Sequence, residues 1–362
     1  MWSVKTTGRR SVLKGQQRVL VPIVDGSDAT RRTVMSTLRR GQCFGLALLN
    51  TSDPATLRIA RTALESAHDG EEPLSRAQVA IVAATPAACA SSDLTTHLEN
   101  VLVALRTSHI DVLLLDAATL PPTQSLSVRK QVLLEFWEQM VQLRDTGIAL
   151  CIGASDLSIQ DVELISSSFP NSLPSLLSVE AAIHHNDDSN SSTASLSSLV
   201  SFAHGRGLDV LVRFPLAALD DLPLRQRDQW KQTTKAIAQR HAAASFKHLV
   251  ANEVETNGTF HVESISTKTN DGENPFGCSA LVVLRLFLQR GLAVVPFASN
   301  AEDDDGVRSI DEIISAALHP FASMDAAYSP HHIYSSILSD DELDAVGHTL
   351  QLVIKSDSTP RS

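Results

Sequence analysis

This chain has little that reacts, coordinates or anchors. Aromatic residues make up only 4% of its 362 positions, so a large core must be aliphatic, built from Leu, Val, Ile and Ala. The four cysteines (Cys43, Cys89, Cys151 and Cys278) form no Cys-x-x-Cys and are widely spaced, which signals neither a zinc cage nor a disulfide framework. A reducing, cytoplasmic setting is the resulting expectation. No apolar run reaches the roughly 18–20 residues that a membrane span needs. Positive charge is in deficit. With 30 Lys and Arg against 41 Asp and Glu, the formal charge of −11 disfavours nucleic acid and anionic membranes as partners. No Gly-x-Gly-x-x-Gly follows an early strand, which weighs against an open dinucleotide-binding sheet.

What is present is an ordinary globular composition. Hydrophobic content of 43% supports a sizeable core, either in two average domains or in one large α/β barrel. Basic residues cluster at the start, with Lys5, Arg9, Arg10, Lys14 and Arg18 and no acidic residue through position 24. That composition fits an organelle presequence or a disordered basic tail, and the lack of an apolar face favours the tail, placed at 1–17.

Short β-branched or apolar runs predict strands at 19–24, 43–49, 79–84, 112–115, 149–152, 176–182, 209–213 and 292–297. Between and after them, amphipathic stretches predict helices at 27–40, 53–68, 92–106, 128–145, 158–166, 196–205, 278–289, 306–317 and 339–353. Pro54 suits a first helical turn, and Gly147 a C-terminal stop. Residues 187–198 read as a Ser-rich linker and cap. Residues 217–276 are charged and polar, with a helix near 229–244, and read as an insertion before the last strand. The alternation implies one α/β domain over 18–353, a (β/α)8 TIM barrel with C-terminal helices and a tail at 354–362. Its site would lie at the C-terminal ends of the strands.

Several segments in order resemble the aldo-keto reductase fold: LENVLVALRTSHIDVLLLD, the GASDL run, LLSVEAAIHH, LVSFAHGRGLDVLVRFPL, LVVLRLFLQRGLAVVPFASN and SDDELDAVG. The resemblance implies a site where a tyrosine protonates a carbonyl, tuned by lysine and aspartate and assisted by histidine. Such a donor must lie within hydrogen-bond reach of the carbonyl oxygen. The two tyrosines here, Tyr328 and Tyr334, both fall in the C-terminal extension. The lysine position after strand 3 reads as Ala84 and the histidine position after strand 4 as Asp116. Cofactor positions have changed too. The family's Ser-Asn is Ser155-Asp156, its strand-6 Gln is Ser178, its stacking tyrosine is Arg213, and its phosphate clamp reads as Phe297, Ala298 and Asp303, within an acidic run to Asp305.

One branch of that fold lost the reaction: the modifier subunits of glutamate–cysteine ligase, which bind the catalytic subunit instead. The stretch Gly153, Ser155, Asp156, Leu157 resembles theirs, as do Gln160 and Leu164 on the next helix, Pro170-Asn171-Ser172, and IVAATPAACASSDL at 81–94. The likeness covers roughly 79–216, with a looser match at 277–297. It implies a non-catalytic regulatory subunit in glutathione biosynthesis, with no catalytic, cofactor or metal residues and the catalytic ligase subunit as partner. An NADPH-dependent reductase with relocated groups, or a barrel scaffold for another partner, are the alternatives. The cysteine pair expected after strand 6 stands here as His184-His185, against an interchain disulfide there.

Single residues carry competing readings. Asp156 could cap the helix at 158–166, the preferred reading, or act in recognition. Asp116 and Glu180 read as solvated carboxylates ahead of a paired acid and base. His184-His185 and His331-His332 read as loop pairs ahead of metal ligands. Cys151 reads as a small buried hydrophobe, Cys89 as the more exposed thiol. Trp137 could pack the core or anchor a partner. The run Glu302–Asp305 reads as a solvated loop ahead of a docking site.

Overall fold

The structure is a computed structural model. It describes residues 13, 20–23, 31, 34–35, 45–68, 76–87, 94–120, 126–183, 196–213, 228, 232–233, 236–237, 284, 286–295, 339, 341–342 and 352–354. Eight parallel strands follow one another in chain order: β1 (Val21–Ile23), β2 (Gly45–Leu48), β3 (Ala80–Pro86), β4 (Ile110–Asp116), β5 (Ala149–Ser155), β6 (Leu176–Ile183), β7 (Asp209–Arg213) and β8 (Ala293–Val295). The amide of Leu20 donates to the carbonyl of Val294 at 2.9 Å, which brings the first strand round to the last. Among the described residues, five continuous helices lie between strands: α1 (Pro54–His68), α2 (Leu94–Leu105), α3 (Leu126–Asp145), α4 (Ile159–Ser168) and α5 (Leu196–Gly205). Residues 31, 34, 35, 284 and 286–289 are also helical, in the segments before β2 and before β8. This is the expected (β/α)8 architecture.

Each strand divides its side chains between two cores, because successive residues point to opposite faces. Outward residues such as Ile81, Leu113, Leu115, Leu177, Val179 and Val212 join the helices in one large cluster. Inward residues such as Val82, Val112, Leu114, Leu176 and Leu211 fill the barrel. Leu13, the one described residue of the stretch 1–17, is buried in that inner cluster. On α3 the buried residues Leu133, Phe136, Trp137, Met140 and Leu143 recur every three or four positions, the stripe that turns a helix toward a core. Trp137 is fully buried and its indole N–H donates to the Ser172 carbonyl at 2.9 Å, so it packs the core. Gly147, at φ +81°, ends α3 as expected.

Gly153 has a packing cause. A Cβ there would stand 2.2 Å from the Leu176 carbonyl oxygen and 2.8 Å from a Leu114 methyl. Only glycine lets β5 and β6 approach this closely.

Some boundaries shift. The fifth strand runs on to Ser155, past the expected end at 152, because its pairing continues: Asp116 is in register with Ser155, and Ser155 with Ser178. The helix expected over 339–353 is corrected at its end. Leu352–Ile354 forms a ninth strand, β9, antiparallel to Ala181–Ile183 of β6. Val353 and Ile354 are β-branched and favour that extended pairing. The helix at 306–317 and nearly all of the 217–276 insertion lie outside the described residues.

Candidate functional site at the barrel mouth

The C-terminal ends of β4 to β7 bring together six of the positions singled out in the sequence, Asp156 among them. Inward parity places Asp116, Ser155, Ser178 and Arg213 at the mouth, with Glu180 on the same face of β6 as Ser178 and Leu176. Register links them in a row. Asp116 on β4 faces Ser155 on β5, Ser155 faces Ser178 on β6, and Glu180 faces Arg213 on β7. Ala84 is buried on the inner face at the end of β3. Leu157, by contrast, packs in the outer core.

Asp156 is the hub. It follows β5 with φ +58°, a left-handed conformation that few non-glycine residues adopt. Its amide donates to the Ser178 carbonyl at 2.8 Å, and its Oδ1 accepts from the Glu180 amide at 3.3 Å. Its Oδ2 accepts from the Nη2 of Arg213, forming an ion pair whose side chains are only 12% (Arg213) and 10% (Asp156) exposed. One aspartate thus ties β5, β6 and β7 at their rims.

The preferred capping role for Asp156 is corrected by this geometry. The cap of α4 is Ser158, which accepts from the Asp161 amide at 3.1 Å while Asp161 turns back on Ser158 in a capping box. A side chain already tied to Arg213 and Glu180 is not available two residues further on. Asp161 also pairs with Arg129 at 2.9 Å, fixing α4 against α3.

Asp116 is half-buried. Its Oδ1 accepts from the Ala118 amide at 3.2 Å and, at 3.4 Å, from the Ser155 hydroxyl. Burial, and then the negative charge of Asp156, push its pKa up from the ordinary aspartate value, while Arg213 and the two hydrogen bonds pull it back. Asp116 and Glu180 form no pair with each other. Both sit around the Asp156–Arg213 bridge.

Among the described residues, two polar atoms in this mouth are buried without a hydrogen-bond partner: the Ser178 Oγ and the Nε of Arg213. A buried donor or acceptor left unpaired costs about 1–3 kcal/mol, so this mouth is under polar tension. A third such atom, the Thr85 Oγ1, lies at the end of β3.

The opposite side of the mouth holds a group that the sequence reading missed. Thr51, just past β2, donates its hydroxyl to the Ala84 carbonyl at 3.1 Å. The Nε2 of His97 on α2 lies 3.1 Å from the same hydroxyl. A hydroxyl has one proton, already given to Ala84, so the ring nitrogen donates. Burial lowers the pKa of His97, in keeping with a neutral ring. Lone Thr and His positions carry no motif, and only the placement of Thr51 just past a barrel strand could have flagged them. Cys151 is half-buried against the inner core, and burial raises its thiol pKa.

Phe297, Ala298, Asp303 and the acidic run to Asp305 lie outside the described residues, as do Tyr328, Tyr334, Cys43, Cys89, Cys278, His184, His185, His331 and His332. Among the described residues no helix is long and apolar enough to cross a membrane.

No protein-family model matches the chain, and no curated protein does. Solved structures do. An aldose reductase from Schistosoma japonicum superposes with a TM-score of 0.57 at 18% identity, over 91% of this chain and 87% of that one. An aldo/keto reductase from Brucella melitensis gives 0.55 at 15% identity, over 92% and 94%. A Bombyx mori aldo-keto reductase in complex with NADP gives 0.54 at 14% identity, over 91% and 88%. The chain therefore has the aldo-keto reductase type of (β/α)8 barrel.

Proposed function

We propose that this protein is a non-catalytic regulatory subunit that binds and activates the catalytic subunit of glutamate–cysteine ligase. The observation that carries the reading is the Asp156–Arg213 bridge. In the resemblance drawn from sequence, these two positions belong to an amide that holds nicotinamide and an aromatic ring that stacks on it. Here they are a carboxylate and a guanidinium tied to each other across β5 and β7. Ala84 and Asp116 stand where the lysine and histidine would, and a methyl does not supply the lysine's cation nor a half-buried carboxylate the histidine's ring. A barrel whose mouth lacks those groups acts by binding rather than by reducing a carbonyl. Regulation then requires that it bind one state of its partner better than another, since equal affinity shifts no population.

The test is to mix the purified chain with the ligase catalytic subunit. Co-elution and an altered glutamate dependence of the ligase are expected. Unchanged ligase kinetics at saturating amounts of this chain reject the reading. The likeness to solved reductases favours a second reading, an NADPH-dependent reductase with relocated groups. NADPH titration followed by fluorescence separates the two: tight binding supports the reductase, and none supports the regulator.

A further inference from the structure

The mouth between β4 and β7 carries charge and hydrogen-bonding capacity that the chain itself does not use. Two carboxylates, Asp116 and Asp156, lie near one guanidinium, Arg213, and that guanidinium is tied to Asp156. The Oδ2 of Asp116 has no hydrogen bond among the described residues. Ser178, fully buried on the inner face, has a hydroxyl without a partner, and the Nε of Arg213 has none either. The set therefore offers an anionic acceptor on β4, a hydroxyl on β6 and a charged donor on β7.

These groups suit an organic cation better than a metal ion. Among the described residues no three His, Cys, Asp or Glu side chains are grouped closely enough to hold a metal. A single ion would also leave the Arg213 Nε–H without an acceptor. A molecule with a positive nitrogen at one end and an oxygen at the other answers both ends of the mouth.

We propose that this mouth binds a small molecule bearing an ammonium group and an adjacent oxygen acceptor, the chemistry shared by amino acids and amino alcohols. The ammonium donates to Asp116 and to the Ser178 hydroxyl, and the oxygen accepts from the Arg213 Nε–H. Asp116 is the more open of these groups, so entry is from its side. The Ser178 and Arg213 atoms are sealed from water in this conformation, so Arg213 turns about its single tie to Asp156 to meet the ligand. Burial and then the charge of Asp156 raise the pKa of Asp116, and Arg213, already tied to Asp156, offsets them only in part. The proposal does not depend on the regulatory reading, because the probes below need no ligase.

The experiment is thermal denaturation of the full chain at constant ionic strength with glycine, ethanolamine, ethylamine or sodium chloride. A rise in Tm that saturates at millimolar glycine or ethanolamine is expected, with ethylamine and salt well behind. Glycine in front assigns an amino acid, and ethanolamine an amino alcohol. Asp116→Asn and Ser178→Ala should each weaken the apparent affinity about tenfold, the scale of one hydrogen bond to a charged group. If Asp116→Asn does not fold, as judged by circular dichroism, Ser178→Ala alone decides. No saturable rise with glycine or ethanolamine overturns the proposal. So do titrations left unchanged in the variant, or ethylamine matching the oxygen-bearing probes.

Discussion

Two arginine–aspartate pairs sit at opposite ends of the same barrel wall, and they are built differently. Arg76, just before β3, lies at the N-terminal end. Its Nε donates to the Thr107 hydroxyl at 2.9 Å, and its Nη2 to the His109 carbonyl at 3.0 Å and to Asp111 Oδ2 at 2.8 Å. Its Nη1 reaches the Val79 carbonyl, and Asp111 also accepts from the Ile81 amide. Every nitrogen of that guanidinium has a partner. Arg213, at the C-terminal end, is more deeply buried, with 12% of its side chain exposed against 23% for Arg76, yet its Nε has none. The floor of the barrel is satisfied and serves stability. The mouth is unsatisfied, which fits the general rule that function gathers at the C-terminal face.

The β5–β6 wall beneath the Asp156–Arg213 pair offers the largest test. Gly153→Ala should destabilise the fold by about 3 kcal/mol, since the new methyl meets backbone at β6 and not a yielding side chain. A denaturant melt measures this, and a loss below a few tenths would show that the two strands can separate freely.

The next test breaks each pair singly and then doubly. Arg76→Leu and Arg213→Leu should each cost about 2–3 kcal/mol, because each strands a partly or largely buried aspartate. Adding Asp156→Asn to Arg213→Leu should restore most of the loss, because a buried ion pair replaced as a unit is often neutral. Adding Asp111→Asn to Arg76→Leu should restore little, because Val79, Thr107 and His109 still lack their donor. Equal recovery at both ends would erase the distinction between floor and mouth.

The smallest effect concerns pH. Asp116 has its folded pKa raised, so its contribution favours the fold below the ordinary aspartate range and fades as pH rises through the raised value. Asp116→Asn should therefore raise Tm at neutral pH, with the gain shrinking to nothing under strong acid. A gain that persists in acid would point to a cause other than ionisation.

Much of the wall could be read from spacing alone. The strand at 209–213 and the helix at 196–205 match at both ends, and Gly147 stops its helix as expected. Boundaries failed where pairing outran local pattern. Local pattern ends the fifth strand at 152, while pairing with neighbours on both sides carries it on to Ser155. At 352–354 a periodic apolar stretch extends the helical pattern, and only the antiparallel contact with β6 decides for strand. Asp156 shows the same limit at the site. Its position two residues before a cap made local capping the natural reading, while its actual partner, Arg213, lies 57 residues away.

The order of strands and helices, the aliphatic make-up of both cores and the need for glycine or small residues at a few positions were set by the chain itself. Periodicity of two or of three to four is a local property, written in neighbouring residues. Which carboxylate meets which guanidinium was decided only when the sheet curled round. Closure places β4, β5, β6 and β7 side by side, and partners dozens of residues apart then compete for the same charge in a partly buried mouth.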